Sequence, residues 1–346
     1  MLAAEPVGRW LGAAGPESDI VVSCRVRLAR NIADAPFVSM AKPTDQSRVV
    51  DTVRWAVQDA KLLEQGRFLD DEQLTEERGR FLLERHLVSP DFVSTKVRRG
   101  FYVASDESLS LMVNEEDHLR FQALVSGFDF ALAYDTVARL DSLLDDQIGY
   151  AFSEQFGFLT ACPSNLGTGM RASVLVHLPG LVLTREIEKV LRGAVHVGLL
   201  VRGLYGEGSD TKGYFFQISN QKTLGVSEAE IIETVSASCR QVIDYERKAR
   251  EYLVENLRNE VEDKVFRSLA MLRSARILPS DEATNLLATV RFGVSMGIIN
   301  ELSLAQVSRL LILVRPENLQ ATLGEKLATP ERDVRRAAFV RETLVS

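Results

Sequence analysis

Five arginines, three glutamates and one cysteine in this sequence have the types and neighbours to work together. Arg25 and Arg27 lie in SCRVRLAR, Glu115, Glu116 and Arg120 in NEEDHLR, Cys162 and Arg171 in ACPSNLGTGMR, and Arg202 and Glu207 in RGLYGEGSD. Guanidinium forks match phosphate oxygens, and a cluster of them can offset the charge that a transferring phosphoryl group spreads over its equatorial oxygens. Carboxylates beside such a polyanion make sense only if they face a cationic substrate. A guanidinium is that kind of acceptor: it stays protonated at neutral pH and becomes nucleophilic only when a proton is removed. Carboxylates that grip its nitrogens and accept the proton meet that need. Cys162, followed by Pro163 and Ser164, could sit as a thiolate supported by the Ser164 hydroxyl and nearby cations, against the same guanidinium. The chemistry these residues can support is phosphoryl transfer from ATP to a guanidinium nitrogen.

Taken one at a time, each piece has a plainer reading. A free cysteine is more often a buried structural thiol. Arg25 and Arg27 fit a solvated edge strand as well as a strand that presents two guanidinium groups to an anion. A lone histidine such as His86 is usually structural, and three acids at a strand end are normally a solvated turn.

Phosphate-binding glycine loops are missing as motifs. There is no Gly-Lys-Ser/Thr; Gly167-Thr168-Gly169 would need glycine where Ala172 stands, and Gly206-Glu207-Gly208 fails at Thr211. If phosphate binds, side-chain cations hold it. The chain has 346 residues, 46% hydrophobic and 26% charged, as in an ordinary soluble globular protein of one large or two smaller domains. A net charge of -7 disfavours general affinity for nucleic acid or anionic membrane. Three scattered cysteines and four histidines make neither a disulfide framework nor a zinc site. No signal peptide opens the sequence, and apolar runs such as Val195 to Val201 are too short to span a bilayer, so a cytoplasmic protein is expected.

The elements that would position these residues read as follows. Ile20 to Ser23 is β-branched and strand-like, and Thr44 to about Leu87 looks helical, with His86 closing a second helical stretch before Pro90 breaks it. Arg99 to Ala104 and Leu109 to Val113 form a hairpin, and Phe121 to Val125 is a third strand, so that the acids stand at a sheet end. Ala131 to Leu144 reads as a helix, with Leu132, Val137, Leu140 and Leu144 on its apolar side. Another helix covers roughly Arg185 to Leu191, followed by a buried strand from Val195 to Leu204 and a last strand from Tyr214 to Ile218. From Ser227, where Glu230 completes a capping box, long helical patterns run almost to the end, interrupted near Pro279 and Pro316. The expected fold is α+β: an antiparallel sheet flanked by helices over residues 1–250, with its core at about 18–250, followed by an all-α C-terminal domain over 251–346.

SCRVRLAR, NEEDHLR, ACPSNLGTGMR and RGLYGE, in that order, resemble the ATP:guanido phosphotransferases, the family of creatine and arginine kinases. The resemblance spans about Ser18 to Arg250. It implies the guanido-kinase fold, with Mg2+ held mainly by the ATP phosphates and no protein metal site. The nucleotide would meet Ser23, Cys24, Arg25, Val26 and Arg27, then His86 and Arg120. It would also meet Arg171, Ala172, Ser173, Val174 and Leu175, and then Arg202, Gly203, Leu204, Tyr205, Gly206 and Glu207. Glu115, Glu116, Cys162 and Glu207 would face the guanidinium. Cys24 stands where the family more often has Ser or Thr.

Small-molecule members carry about a hundred helical residues before the first arginine motif; here that motif begins at Ser23 and helices follow the catalytic part instead. This layout, with RGLYGE and ERHLVSP, resembles the bacterial protein-arginine kinases, whose acceptor pocket must admit a protein. In the tail, Thr329 reads as an N-cap and Pro330 as the first helical residue. Arg332 and Arg336 are then four apart near the positive end of a helix. RDVRRA alone is more often a solvated helix face; in this family context Arg332, Asp333, Arg336 and Ala337 match a phosphoarginine-binding motif that would be allosteric. The resemblance implies a role in bacterial stress response and protein quality control. Its partners would be unfolded proteins and a CtsR-like repressor as substrates, a McsA-like activator, a ClpC/ClpP-type protease and a second copy in a homodimer. Two alternatives stand beside this: a kinase of free arginine or another small guanidino compound, and a catalytically silent phosphoarginine-binding adaptor.

Overall fold

A single strand at the centre of the sheet explains the placement of the first two arginines. Alternation along Val21–Arg30 (β1) sends Cys24, Val26 and Leu28 into a core and Arg25 and Arg27 to the opposite face. The computed structural model describes residues 8–203 and 212–345. After β1 come α1 (Pro43–Asp59), β2 (Gly66–Asp70), α2 (Glu76–Glu84), α3 (Pro90–Ser94), β3 (Gly100–Ala104), β4 (Leu109–Val113) and β5 (Leu119–Ser126). The chain continues through α4 (Phe130–Ile148), the two short strands β6 (Phe152–Ser153) and β7 (Gly157–Phe158), β8 (Met170–His177), α5 (Pro179–Leu183), α6 (Ile187–His196), β9 (Leu199–Gly203) and β10 (Phe215–Asn220). Helices α7 (Glu228–Asn256), α8 (Arg258–Ser274), α9 (Ser280–Ser295), α10 (Leu304–Leu313), α11 (Pro316–Leu323) and α12 (Thr329–Val345) complete it.

The main sheet has eight strands in the order β2-β3-β4-β5-β1-β8-β10-β9, and every neighbouring pair is antiparallel. This is the expected α+β architecture. One face is covered by α1, α4 and α7: Val53, Val57, Val137, Leu140, Val235 and Val242 pack with Val26, Leu28, Phe121 and Val174 of the sheet. Burying side chains of this size stabilises by roughly 1.5–3 kcal/mol each. The other face shares an apolar cluster with the C-terminal helices, in which Phe101, Met112, Leu124 and Phe215 join Phe81, Leu82, Val265, Leu287 and Leu310. The tail therefore packs on the same side of the sheet as Arg25 and Arg27. Arg291 of α9 fastens it there, donating to the carbonyl oxygens of Ser18 (2.7 Å) and Asp19 (3.1 Å).

Several element boundaries differ from the sequence expectation. The two helical stretches between Thr44 and Leu87 are separated by a strand: Lys61, at φ 56°, follows the end of the first helix, and Gly66 to Asp70 pairs with β3 as an edge strand. Gly66 was the break signal, because a Cβ there would meet the Val103 carbonyl oxygen at 2.5 Å. The apolar periodicity through Leu62 and Leu63 masked it. Leu132 is exposed, since α4 begins at Phe130 and turns Ala133 inward. Val195 belongs to α6, and β9 is an edge strand with only Leu199 buried, so a β-branched apolar run does not by itself mark a central strand. Helix α12 starts at Thr329 itself, one residue before the expected first helical position. The Ser227–Glu230 capping box forms as expected, with the Ser227 amide donating to Glu230 at 2.7 Å. Among the described residues no helix is long and apolar enough to cross a membrane.

Candidate active site

A cavity of about 840 Å³ opens on the arginine-bearing face of the sheet, between the sheet and the C-terminal helices. Its walls bring together Arg25 and Arg27 of β1, Arg120 of β5, Arg171 of β8 and Arg202 of β9 with Glu115, Glu116 and His86. Strand register produces the cluster. Arg27 lies directly opposite Arg171 across the β1–β8 pair, and Arg202 lies opposite Gln217 on β10. Like charges directly opposite each other in a sheet are destabilising, so this arrangement costs stability.

The arginines feel one another. Burial, then Arg120 and Arg171, brings the Arg25 guanidinium down to about 10. Burial, then Arg25, Arg120 and Arg171, lowers Arg27 well below its ordinary value despite the opposing pull of Glu115. Arg171 is lowered by burial, Arg202 and Arg120. Elsewhere, buried arginines are paired with carboxylates, as Arg30 with Asp141, Arg85 with Glu107 and Arg250 with Glu246, or with backbone carbonyl oxygens, as Arg291 is. Among the described residues Arg25, Arg27, Arg171 and Arg202 have no carboxylate partner within salt-bridge distance, and the buried Nε atoms of Arg27 and Arg171 have no hydrogen-bond acceptor. Weak neutral contacts hold them, such as Arg171 to Ser219 Oγ at 3.1 Å. A polyanion with several oxygens fits these forks.

The acids face this cluster from a tight turn between β4 and β5. Asn114 takes φ 58°, and its side-chain amide donates to the carbonyl oxygens of Gln46 (3.0 Å) and Arg98 (2.7 Å). Asp117 accepts from the Asn31 side chain and from the Ala161 amide, both at 2.6 Å. His118 accepts from the Ile32 amide at Nδ1 and so donates from Nε2 to the Pro36 carbonyl oxygen at 2.9 Å. Asn114, Asp117 and His118 are thereby consumed in holding the turn, which leaves Glu115 and Glu116 facing the cavity. The Asp117–Ala161 bond also ties down the loop carrying Cys162. That loop is closed by paired amide bonds between Phe158 and Gly167, whose φ of 104° and 2.4 Å clearance to the Thr223 carbonyl oxygen leave no room for a Cβ.

The two glutamates differ. Glu115 is buried, donates nothing, and accepts from Arg120 at 2.7 Å and from the Ser89 hydroxyl. Burial alone would raise its carboxyl, but Arg120, Ser89 and the Glu116 amide outweigh that and hold it below the ordinary value. Glu116 is raised by burial, then by the charges of Asp117 and Glu115, against the opposing influence of Arg120 and a hydrogen bond from the Cys162 thiol. Cys162 is partly exposed, and its sulfur lies 3.1 Å from Ser164 Oγ. The pocket therefore joins a guanidinium cluster to a carboxylate pair of split character. His86, at φ 60°, sits between them and Trp10, and burial, then Arg315 and Arg25, lowers its imidazole to about 3.

Not every expected residue reaches the cavity. Cys24, Val26, Ala172 and Val174 are buried on the core face, as alternation requires of residues between Arg25, Arg27, Arg171 and Ser173. Ser23 and Leu175 border a small side pocket with Trp10, and Ser173 accepts from Arg25 Nε at 3.4 Å. Gly203 lines the cavity. Leu204, Tyr205, Gly206 and Glu207 lie outside the described residues. In the tail, Arg332 is half-buried, but Arg336 is buried, donating to the carbonyl oxygens of Val314 (2.7 Å) and Leu278 (2.8 Å) and pairing with Asp333; Ala337 is buried too. Their shared helix face is thus partly consumed by bonds to the chain just before α9 and just after α10. Asn31 and Asp117 as positioning groups, and Asp281, Thr284 and Arg315 as cavity lining, had no local signal in the sequence.

Asp117→Ala tests the turn. It leaves the Asn31 amide and the Ala161 N–H without their acceptor, costing about 1–3 kcal/mol in denaturant unfolding. It also lets the Cys162 loop drift from Glu116, so turnover is expected to fall by about a hundredfold while nucleotide affinity changes little.

Comparison with known proteins agrees along the whole chain. The family model described as the ATP:guanido phosphotransferase C-terminal catalytic domain matches residues 48–249, and the one described as the protein-arginine kinase McsB C-terminal domain matches residues 258–346. The protein-arginine kinase of Brevibacillus brevis is 42% identical over 342 residues, covering 98% of this chain and 96% of its own. That of Pelotomaculum thermopropionicum is 43% identical over 336 residues, covering 96% and 94%. Among solved structures, the duplicated taurocyamine kinase from Schistosoma mansoni with bound transition state analog components superposes with a TM-score of 0.60 at 26% identity, covering 72% of this chain and 35% of that one. Lombricine kinase, at 24% identity and a TM-score of 0.59 over 72% of this chain and 71% of its own, shares the fold.

Proposed function

Because the chain belongs to the ATP:guanido phosphotransferase family, in its protein-arginine kinase branch, we propose a division of labour across the cavity for transferring the ATP γ-phosphoryl group to arginine side chains of proteins. The enzyme is an ATP-dependent protein-arginine kinase. The observation that carries the assignment of roles is the meeting of guanidinium groups without carboxylate partners and a carboxylate pair in one cavity, with the Cys162 thiol beside its rim at Ser164.

Arg25, Arg27, Arg120, Arg171 and Arg202 bind the triphosphate and offset the charge on the transferring group. Mg2+ would enter with the nucleotide and neutralise phosphate charge from its oxygens; among the described residues no group of three or more acids, histidines or cysteines could hold a metal ion. Glu115, fixed as an ion pair with Arg120, orients the acceptor guanidinium. Glu116 accepts its proton as the N–P bond forms and the bond from the γ-phosphorus to the ADP oxygen breaks. The Cys162 thiol, bonded to Glu116, contacts the acceptor and tunes that carboxylate. Glu207 and the other residues of RGLYGE join by motif alone.

The same reading extends to the whole chain. Residues 1–250 form the catalytic unit and 251–346 a helical unit for phosphoarginine recognition and dimerisation. Stress response and quality control, with a CtsR-like repressor, a McsA-like activator and a ClpC/ClpP-type protease as partners in the cytoplasm, follow from the family resemblance. With Arg336 buried, Arg332 is the more accessible of the two arginines assigned to phosphoarginine recognition.

The test is incubation with Mg-ATP and either an unfolded protein such as casein or free arginine, followed by mass spectrometry under non-acidic conditions. Phosphoarginine in the protein is the expected product. Phosphorylation of free arginine alone would point to a small-molecule kinase.

A further inference from the structure

The cavity wall opposite the sheet comes from the C-terminal helices, and one residue there has the chemistry of the opposite wall. Arg315, the residue before α11, lines the same cavity as Arg25 and Arg27, beside Asp281 and Thr284 of α9. Its backbone is extended (φ -65°, ψ 150°), as Pro316 requires of its predecessor. Both flanks are pinned. On one side the Val314 carbonyl oxygen accepts from Arg336 Nε at 2.7 Å. On the other, the Glu84 carboxylate takes the Glu317 and Asn318 amides at 3.0 and 2.9 Å and the Asn318 side chain at 2.9 Å. Asn318 in turn accepts from Arg85 Nε at 2.7 Å, next to His86.

We propose that Arg315 is a nucleotide-binding residue, a sixth guanidinium for the ATP polyphosphate, supplied to the sheet's arginine cluster by the C-terminal helices. The inference rests on reading the cavity as the ATP site and extends that site past the motif-bearing residues, all of which precede residue 208. Three observations support it. The residue lines the same cavity as Arg25, Arg27, Arg120, Arg171 and Arg202, from the wall that faces the sheet. It lies close enough to His86 to weigh on that imidazole more than Arg25 does. The contacts through Glu84, Asn318 and Arg336 fix its backbone, so its position is paid for before the ligand arrives. Arg336 acts on the nucleotide only as a positioning residue, through the Val314 carbonyl.

Calorimetric titration of the full-length protein with ATP and with adenosine tests this on Arg315→Gln, Arg315→Lys and Arg25→Gln, with melting curves of the free proteins alongside. For Arg315→Gln the expected result is an ATP Kd raised about tenfold or more, with the adenosine Kd within about twofold and a cooperative melting curve that shows the free protein folded. Arg315→Lys, which keeps the charge and loses the planar fork, should give a smaller rise in the ATP Kd, and it carries the test if Arg315→Gln does not fold. An unchanged ATP Kd in the Arg315 variants with a large loss in Arg25→Gln overturns the role of Arg315 and leaves the nucleotide site standing. Unchanged ATP binding in all three overturns the nucleotide reading as well. Equal losses for ATP and adenosine would make Arg315 a structural residue and sink the proposal.

Discussion

Glu116→Gln is expected to lower the rate of arginine phosphorylation by about 10²- to 10⁴-fold, the range of a lost general base, while ATP binding is nearly unchanged. The amide keeps the size and the ability to bond the Cys162 thiol, so the loss is of proton acceptance alone. Glu115→Gln should behave differently. It removes the partner of Arg120 and leaves a half-buried guanidinium with less compensation, so stability and ATP affinity change together with rate. A pH profile separates the two further. Glu116 works ionised, and its carboxyl is raised by burial and by the neighbouring charges of Asp117 and Glu115. The acid limb of kcat/KM should therefore lie above the ordinary carboxylate range. Glu115, held low by Arg120 and Ser89, stays ionised through that limb and does not set it. Cys162 donates to Glu116 and favours its ionised form. Cys162→Ala should then move the limb to higher pH as well as lowering the rate. A limb that stays in place in Cys162→Ala, or a Glu116→Gln enzyme of undiminished rate, would remove Glu116 from the proton path.

This difference between adjacent glutamates could not be read from NEEDH. The motif gives three acids in a row; which of them faces the cavity depends on Asn31, 86 residues before Asp117, and on Ala161, 44 residues after it. The face of each β1 residue was legible, because alternation over SCRVR sets it locally, yet the motif match swept in Cys24 and Val26, which the same alternation turns into the core. Helix and strand types were legible wherever the period was clean, as in Leu109–Val113 and Glu228–Asn256. They were not where an apolar run bridged two elements, as at Leu62 to Leu69 and Val195 to Val201. Arg336 read as an exposed anion ligand because helical spacing specifies a face and not what packs on that face. Arg315 carried no signal at all: it enters the cavity only through the docking of α11 on α2, fixed by Glu84.

Arg27→Gln and Arg171→Gln are expected to move activity and stability in opposite directions. The two guanidinium groups are Cα partners across β1 and β8, each lowered by burial and by neighbouring cations, with Nε atoms that have no acceptor. A cation whose folded-state pKa lies below its unfolded one is stabilised less in the fold than in the open chain while both are charged. Guanidinium groups stay charged at neutral pH, so each of these arginines opposes folding there, and removing one relieves the other. The polar glutamine still fits the register, so the melting temperature should hold or rise. Phosphoryl transfer should fall by about 10²-fold or more, because the lost fork faced the triphosphate and acted on the charge that develops during transfer. A purely structural arginine predicts the reverse, a protein that melts earlier and retains its turnover once folded. Arg30→Gln supplies that contrast within the same strand. Arg30 is buried in an ion pair with Asp141 at 2.8 Å and stacks over Phe158, so its loss should destabilise by several kcal/mol and touch turnover only through folding. Measuring melting temperature and initial rate on these variants together distinguishes arginines kept for the fold from arginines kept against it, and the second kind marks where the nucleotide binds.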